Sequence, residues 1–116
     1  MIRSKKLRDS ANGQDCTLNI AGICSYDATT TVLAHLPDES HGMSQKADDI
    51  SGAFACSQCH DCIDGRHTVK LSNEDKEFYM RRGQNRTWRK WIDIKNSNHM
   101  FIFVNFHRRN FTLYNF

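Results

Sequence analysis

The chain has no hydrophobic run that approaches the roughly 18 residues of a membrane span. Its start is equally short of apolar residues. Met1-Ile-Arg-Ser-Lys-Lys-Leu-Arg8 is charged throughout and has no apolar core of the kind a secretory leader needs. No internal repeat and no low-complexity segment interrupts the sequence. Bulk is scarce as well: 116 residues with 39% hydrophobic content leave little room for two cores, so one domain is expected. Core area alone gives such a chain thin stability, and small domains of this kind are commonly held by a metal or by disulfides.

Five cysteines decide between those two staples. Their number is odd, no secretory leader is expected before them, and one pair runs directly into a histidine. Metal-bound thiolates in a reducing cytosol are therefore expected in preference to a disulfide framework. The densest stretch is Cys56-Ser-Gln-Cys59-His60-Asp61-Cys62-Ile-Asp64-Gly-Arg66-His67. It carries three thiols, two imidazoles and two carboxylates besides its one arginine.

Zinc in a structural site takes four soft or borderline ligands at tetrahedral corners. The two-residue gap between Cys56 and Cys59 lets one turn present both sulfurs to one ion. Cys16 and Cys24 are seven residues apart, wider than the usual knuckle, but the Ala21-Gly22 turn between them allows their ends to meet. A structural Zn²⁺ site of Cys16, Cys24, Cys56 and Cys59 is expected. Cys62, one turn along from the helix start at Ser57, is expected to pack inward as a small buried hydrophobe.

The rest of the organisation follows from local pattern. Residues 1–15 look like an irregular basic arm. Asp15–Cys24 reads as a short strand or hairpin with a cysteine at each end, Thr29–Leu36 as a β-branched strand, and Pro37–Lys46 as a loop. A second strand is expected to end at Ala55, followed by a helix capped by Ser57 that runs to about Asp64 and stops at Gly65. Ser72 can cap a longer helix through residue 95, weakened at Gly83 by about 1 kcal/mol relative to alanine. The segment Met100-Phe-Ile-Phe-Val-Asn-Phe106 is β-prone, which suggests an edge strand or an exposed extension. The expected division is thus a basic arm over 1–15, a zinc-bound domain over 16–95 and an unassigned tail over 96–116.

Hydrolytic chemistry is legible in the same cluster. His60 and Asp64 are four apart and share a helix face, so both can offer ligands to one divalent ion, with His67 about a turn further on. His35, at the end of a strand, can project toward that ion and take a proton from water. Plainer roles stand beside these. His35 can be a core histidine, His60 can replace a cysteine as a zinc ligand, and Asp61 can serve only to orient an imidazole. The zinc site can also do no more than hold the fold.

Net charge is only +3, yet basic residues cluster. Arg81, Arg82, Arg86 and Arg89, interleaved with Trp88 and Trp91, form either a solvated helix face or a set of phosphate contacts. The two tryptophans fit a helix core better than a base-stacking platform.

Taken together, Ala-Asn-Gly-Gln-Asp-Cys16, Ile-Ala-Gly-Ile-Cys24, Thr-Thr-Val-Leu-Ala-His35-Leu and Ala-Cys56-Ser-Gln-Cys59-His60-Asp61-Cys-Ile-Asp64-Gly-Arg66 resemble the YbcO-like family of small phage and prophage HNH-type nucleases. More remotely they are similar to the phage recombination-enhancement nuclease Ref. The likeness covers roughly residues 4–95. It implies an α+β, zinc-stapled ββα-metal fold with a C-terminal helix, phosphodiester hydrolysis of DNA, and a link to phage recombination or replication. It implies further that His35 is the general base, that His60 ligates a catalytic Mg²⁺ or Mn²⁺ with Asp64 or His67, and that the protein works in the bacterial cytoplasm. One departure stands out. Many HNH enzymes carry Asp or His directly before the base, whereas this chain carries Ala34, which leaves the ion one ligand short.

Overall fold

The computed structural model describes residues 3–36 and 48–107, with side chains through residue 97. The loop expected over Pro37–Lys46 lies outside the described residues. In order, the elements are helix α1 (Lys5–Asp9), strand β1 (Val32–His35), strand β2 (Gly52–Ala55), helix α2 (Ser57–Ile63) and helix α3 (Asn73–His107), with single 3₁₀ turns before each strand. The class is α+β, as expected.

β1 and β2 form a two-stranded antiparallel sheet with Val32 opposite Ala55, Leu33 opposite Phe54, Ala34 opposite Ala53 and His35 opposite Gly52. A side chain at position 52 would not fit. A Cβ there would lie 2.7 Å from Leu33 Cδ1 and 2.8 Å from the Ala34 carbonyl, which is why glycine faces His35 across the pair.

A two-stranded ribbon is marginal by itself; here its outer edge is closed by side chains. The Phe54 N–H donates to Thr87 Oγ1 (3.0 Å), and Thr17 Oγ1 donates to the Phe54 carbonyl (2.9 Å), which also accepts from the Thr17 N–H (2.8 Å). Since the Thr17 hydroxyl proton is spent on that carbonyl, the 2.9 Å contact between the two hydroxyls must run from Thr87 to Thr17. Thr87 is fully buried on α3, so this ring of hydrogen bonds joins β2 to the long helix.

The core lies between the sheet, α2 and α3. Leu18, Ile20, Ala53, Ala55 and Ile63 form its main cluster around the buried cysteines, and Phe54, Leu33 and Ala11 form a second, covered by Leu7 and Trp91. Trp91 meets Phe54 edge-on at 6.0 Å and donates its indole N–H to Ser10 Oγ. It is a packing residue, as the sequence suggests. Trp88 is 42% exposed and donates only to the Ile50 carbonyl.

Several local expectations are corrected. The start of the chain is not irregular: Ser4 caps α1, its hydroxyl accepting from the Leu7 N–H, and the helix docks on the second cluster. Residues 15–24 form no strand. Asn19 and Gly22 sit at positive φ, and Cys24 N–H closes on the Ile20 carbonyl, which produces a knuckle. The first helix after β2 is capped by Cys56 instead of Ser57; its sulfur accepts from the Cys59 N–H. At the other end, Asp64 is the cap and Gly65 adopts φ +80°. The Arg66 N–H bonds the Asp61 carbonyl, and the Gly65 N–H bonds that of Cys62. This paired closure ends α2 before His67.

The third helix also departs from expectation. It begins at the Ser72 cap, but it passes Gly83 without a break and continues through His107. The β-prone stretch after Met100 is therefore helical as far as the described residues extend. No proline or glycine follows Gly83 to stop it, and once a packed, capped half-helix exists each added residue gains one hydrogen bond. Gly83 itself is a contact point, where a Cβ would lie 2.7 Å from Leu18 Cδ2.

Candidate metal centre and catalytic residues

The knuckle and the start of α2 meet at four cysteines. The sulfurs of Cys16, Cys24, Cys56 and Cys59 all lie within 4.8 Å of one another, and none is in a disulfide. Cys24 and Cys56 are 3.9 Å apart. A tetrahedral tetrathiolate with Zn–S bonds of about 2.3 Å has sulfur–sulfur edges of about 3.8 Å, so the cage has the size of a metal site. Backbone N–H groups already point at its sulfurs: Asn19 to Cys16 (3.4 Å), Ile20 to Cys59 (3.5 Å) and Cys59 to Cys56 (3.5 Å). Such donors favour thiolates, which are the form a metal takes up.

The four thiols share protons unequally within the cage. The Cys59 thiol donates to Cys16 and lowers the latter to about 5, assisted by the Asn19 N–H. Cys59, whose proton is the shared one, is raised in turn. Burial raises Cys24 to about 11, whereas Cys56 is lowered because bonds from Ser25 and from the Cys59 N–H outweigh its burial. Cys62 is buried apart from the cage, its thiol facing the Val69 carbonyl at 3.7 Å. Its expected role as a small core residue agrees with that placement.

Away from the cage, His35 ends β1 with its side chain 42% exposed. Its Nε2 lies 2.6 Å from Asp49 Oδ1. Asp49 is 2% exposed, and its Oδ2 accepts from the Ser4 N–H and from Arg8 at 2.7 Å. The Ser4 N–H, working against burial and joined by His35 and Arg8, holds this carboxyl below its usual range. Sequence reading passed over Asp49. No spacing rule links it to His35, and α1, which completes its surroundings, was expected to be irregular.

On α2, His60 Nε2 and Asp64 Oδ2 face each other at 3.1 Å, as their four-residue separation requires. Asp64 also accepts from Arg66 (3.1 Å), while Asp61 takes the other arm of that guanidinium at 2.9 Å. Among the described residues Asp61 pairs with Arg66 and with no imidazole. His67 Nδ1 accepts from the Val69 N–H at 3.0 Å. Among the described residues the four cysteines form the one group of three or more donors close enough for an ion. His60 and Asp64 face each other, and neither His35 nor His67 joins them in such a group.

Of the four arginines, Arg82 is occupied within the fold. It donates to the Leu18 and Asn19 carbonyls at 2.9 and 3.0 Å and stacks over Phe78 and Tyr79 at just over 5 Å. Arg81 pairs with Glu77 at 3.2 Å. Arg86 and Arg89 are exposed and line a groove with Asp15, Cys16, Lys90 and Asp93, beside the cysteine cage.

Comparison with known proteins adds family and lineage. The family model described as "Putative nuclease YbcO" matches residues 5–96. Two curated relatives, both named "Putative nuclease YbcO", come from Escherichia coli (strain K12) and Enterobacteria phage 82. Each is 41% identical over 61 residues, which is 52% of this chain and 64% of the relative. The chain thus spans somewhat under two thirds of their length. A solved structure titled "Structure of a putative bacteriophage protein from Escherichia coli str. K-12 substr. MG1655" is 30% identical. It covers 76% of this chain and 98% of that one, with a TM-score of 0.61.

Proposed function

We propose that this chain, which belongs to the YbcO nuclease family of phage and prophage, is a metal-dependent endonuclease that hydrolyses DNA phosphodiester bonds on a zinc-stapled HNH-type scaffold. The observation that carries this is the imidazole of His35. It is half exposed at the end of β1 and braced from behind by a buried, ionised carboxylate. Histidine is the residue whose ordinary pKa lets it accept a proton near neutrality. The order strand, strand, helix, with His35 on the first and His60 on the last, agrees with an HNH arrangement.

In this scheme Cys16, Cys24, Cys56 and Cys59 would hold Zn²⁺, which would tie the knuckle to α2. His35 takes a proton from water as the water oxygen attacks phosphorus. The bond from phosphorus to the leaving oxygen breaks, and that oxygen is protonated from solvent. His60 and Asp64 would hold the catalytic ion, with His67 the nearest further imidazole in sequence. When bound, Mg²⁺ or Mn²⁺ supplies charge neutralisation at the phosphate and the leaving oxygen. Arg86 and Arg89 are the arginines free to meet phosphates, with Arg81 available on breaking an exposed pair; Arg82 serves the fold. The biological setting that fits is phage recombination or replication in the bacterial cytoplasm, alongside a protein of that process.

A second reading, a non-catalytic zinc module that binds nucleic acid or a phage replication partner, is favoured by two observations: Ala34 offers no ligand, and the α2 pair gathers no third donor among the described residues. One experiment separates the two. Supercoiled plasmid is incubated with Mg²⁺, Mn²⁺ or EDTA, with wild type and His35→Ala compared and bound zinc quantified. Nicking that needs the ion and is lost in the variant, with one zinc in each, supports the nuclease. No nicking under any condition, with a DNA shift that weakens steeply with salt, supports the module.

A further inference from the structure

Resting on the assignment of His35 as the base, we infer that Asp49 is its positioning residue: it sets the tautomer that leaves Nδ1 free to take the proton. The argument is one of counting donors and acceptors. An ionised carboxylate only accepts. Asp49 is buried, its carboxyl is held ionised, and Oδ1 lies 2.6 Å from His35 Nε2. In the neutral ring, Nε2 must then carry the proton and donate it to Oδ1. The lone pair is left on Nδ1, the other ring nitrogen of a half-exposed side chain.

The rest of the network makes this assignment hard to reverse. Oδ2 receives two donors, the Ser4 N–H and Arg8. Neither can become an acceptor, so the carboxylate cannot turn over or give up its charge cheaply. Helix α1 and its Ser4 cap thus supply both groups that anchor Asp49, which gives the basic N-terminal segment a task in the site.

The same geometry makes Asp49→Asn a sharp test. The amide oxygen has to occupy the Oδ2 position, because two donors converge there. The amide NH₂ then takes the Oδ1 position and faces Nε2, which must become an acceptor. The ring proton moves to Nδ1, and the lone pair is lost from the side where water would be activated. In serine proteases the equivalent exchange leaves geometry intact and lowers kcat about 10⁴-fold through the wrong tautomer.

The experiment uses the full, zinc-loaded chain labelled with ¹⁵N-histidine, and reads the two ring nitrogens of His35 at neutral pH beside the plasmid assay. The wild type is expected to show Nε2–H and Asp49→Asn to show Nδ1–H. Its kcat is expected to fall about 10²- to 10⁴-fold, with KM within about threefold and zinc content unchanged. A wild-type ring protonated on Nδ1, or an Asn variant that keeps the Nε2–H form or full kcat, overturns the role. If Asp49→Asn does not fold, the wild-type ring alone decides, since Nδ1–H contradicts it and Nε2–H supports it. Failure of the nuclease assignment is read separately, as a wild type that does not nick with any ion while its ring nitrogens still report.

Discussion

At the scale of single residues, the site depends on groups that have one choice of partner. Thr17 and Thr87 close a directional ring on Phe54 because each hydroxyl has only one proton to give. Asp49 is the corresponding case with charge. Its lowered carboxyl pKa adds stability that is fully present above the ordinary carboxylate value, about 3.9. That stability is lost as pH falls through the lowered folded-state value. Hydrogen bonds to a charged, buried group contribute about 2 kcal/mol, so Asp49→Asn is expected to be less stable than wild type by about that amount near neutrality. The gap should close as pH falls below 4. Urea midpoints of both proteins at stepped pH check this; their difference isolates Asp49, since protonation of the cysteines is common to both.

At the scale of elements, α3 shows how packing overrides propensity. In an exposed helix Gly83→Ala would gain about 1 kcal/mol. Here the added methyl meets Leu18 Cδ2 at 2.7 Å and Ala53 Cβ at 3.4 Å, and overfilling a packed contact costs about 1–3 kcal/mol. Thermal unfolding should therefore show Gly83→Ala destabilised by about 1 kcal/mol. Combining it with Leu18→Val should cost less than the sum of the two single changes, because the second removes the clash. A variant more stable than wild type would mean that α3 can move away from the knuckle. That would be informative, because Arg82 also holds the two together through the Leu18 and Asn19 carbonyls.

At the scale of the whole molecule, the cysteine cage joins segments far apart in sequence where the sheet formed by the described residues is two strands wide. Binding a structural zinc is worth on the order of 10 kcal/mol in small zinc domains, comparable to the total stability of a domain this size. Stripping the metal with a strong chelator is expected to abolish the cooperative melt and the near-UV signal of the packed aromatics, while part of α3 keeps its far-UV helical signal. Returning one equivalent of Zn²⁺ should restore both. A metal-free chain that melts as wild type does would show that the hydrophobic clusters suffice and that the cage holds no structural ion.

The sequence by itself determined whatever follows from short spacing. Cys56 and Cys59 share a turn, His60 and Asp64 share a helix face, Ser72 caps α3, β2 ends at Ala55, and the class is α+β, because each depends on neighbours a few residues apart. The tertiary structure alone decided what depends on distant segments or on competition between local preferences. Asp49 meets His35 because β1 pairs with β2 and brings the turn before β2 alongside, and it meets Ser4 and Arg8 because α1 docks there. Arg82 is drawn from the basic face into the knuckle by two carbonyls. The β-prone residues after Met100 continue a helix because α3 is already nucleated and packed upstream. Local sequence records which groups can pair; which of them do is settled by where the chain returns, and that depends on closing loops over tens of residues.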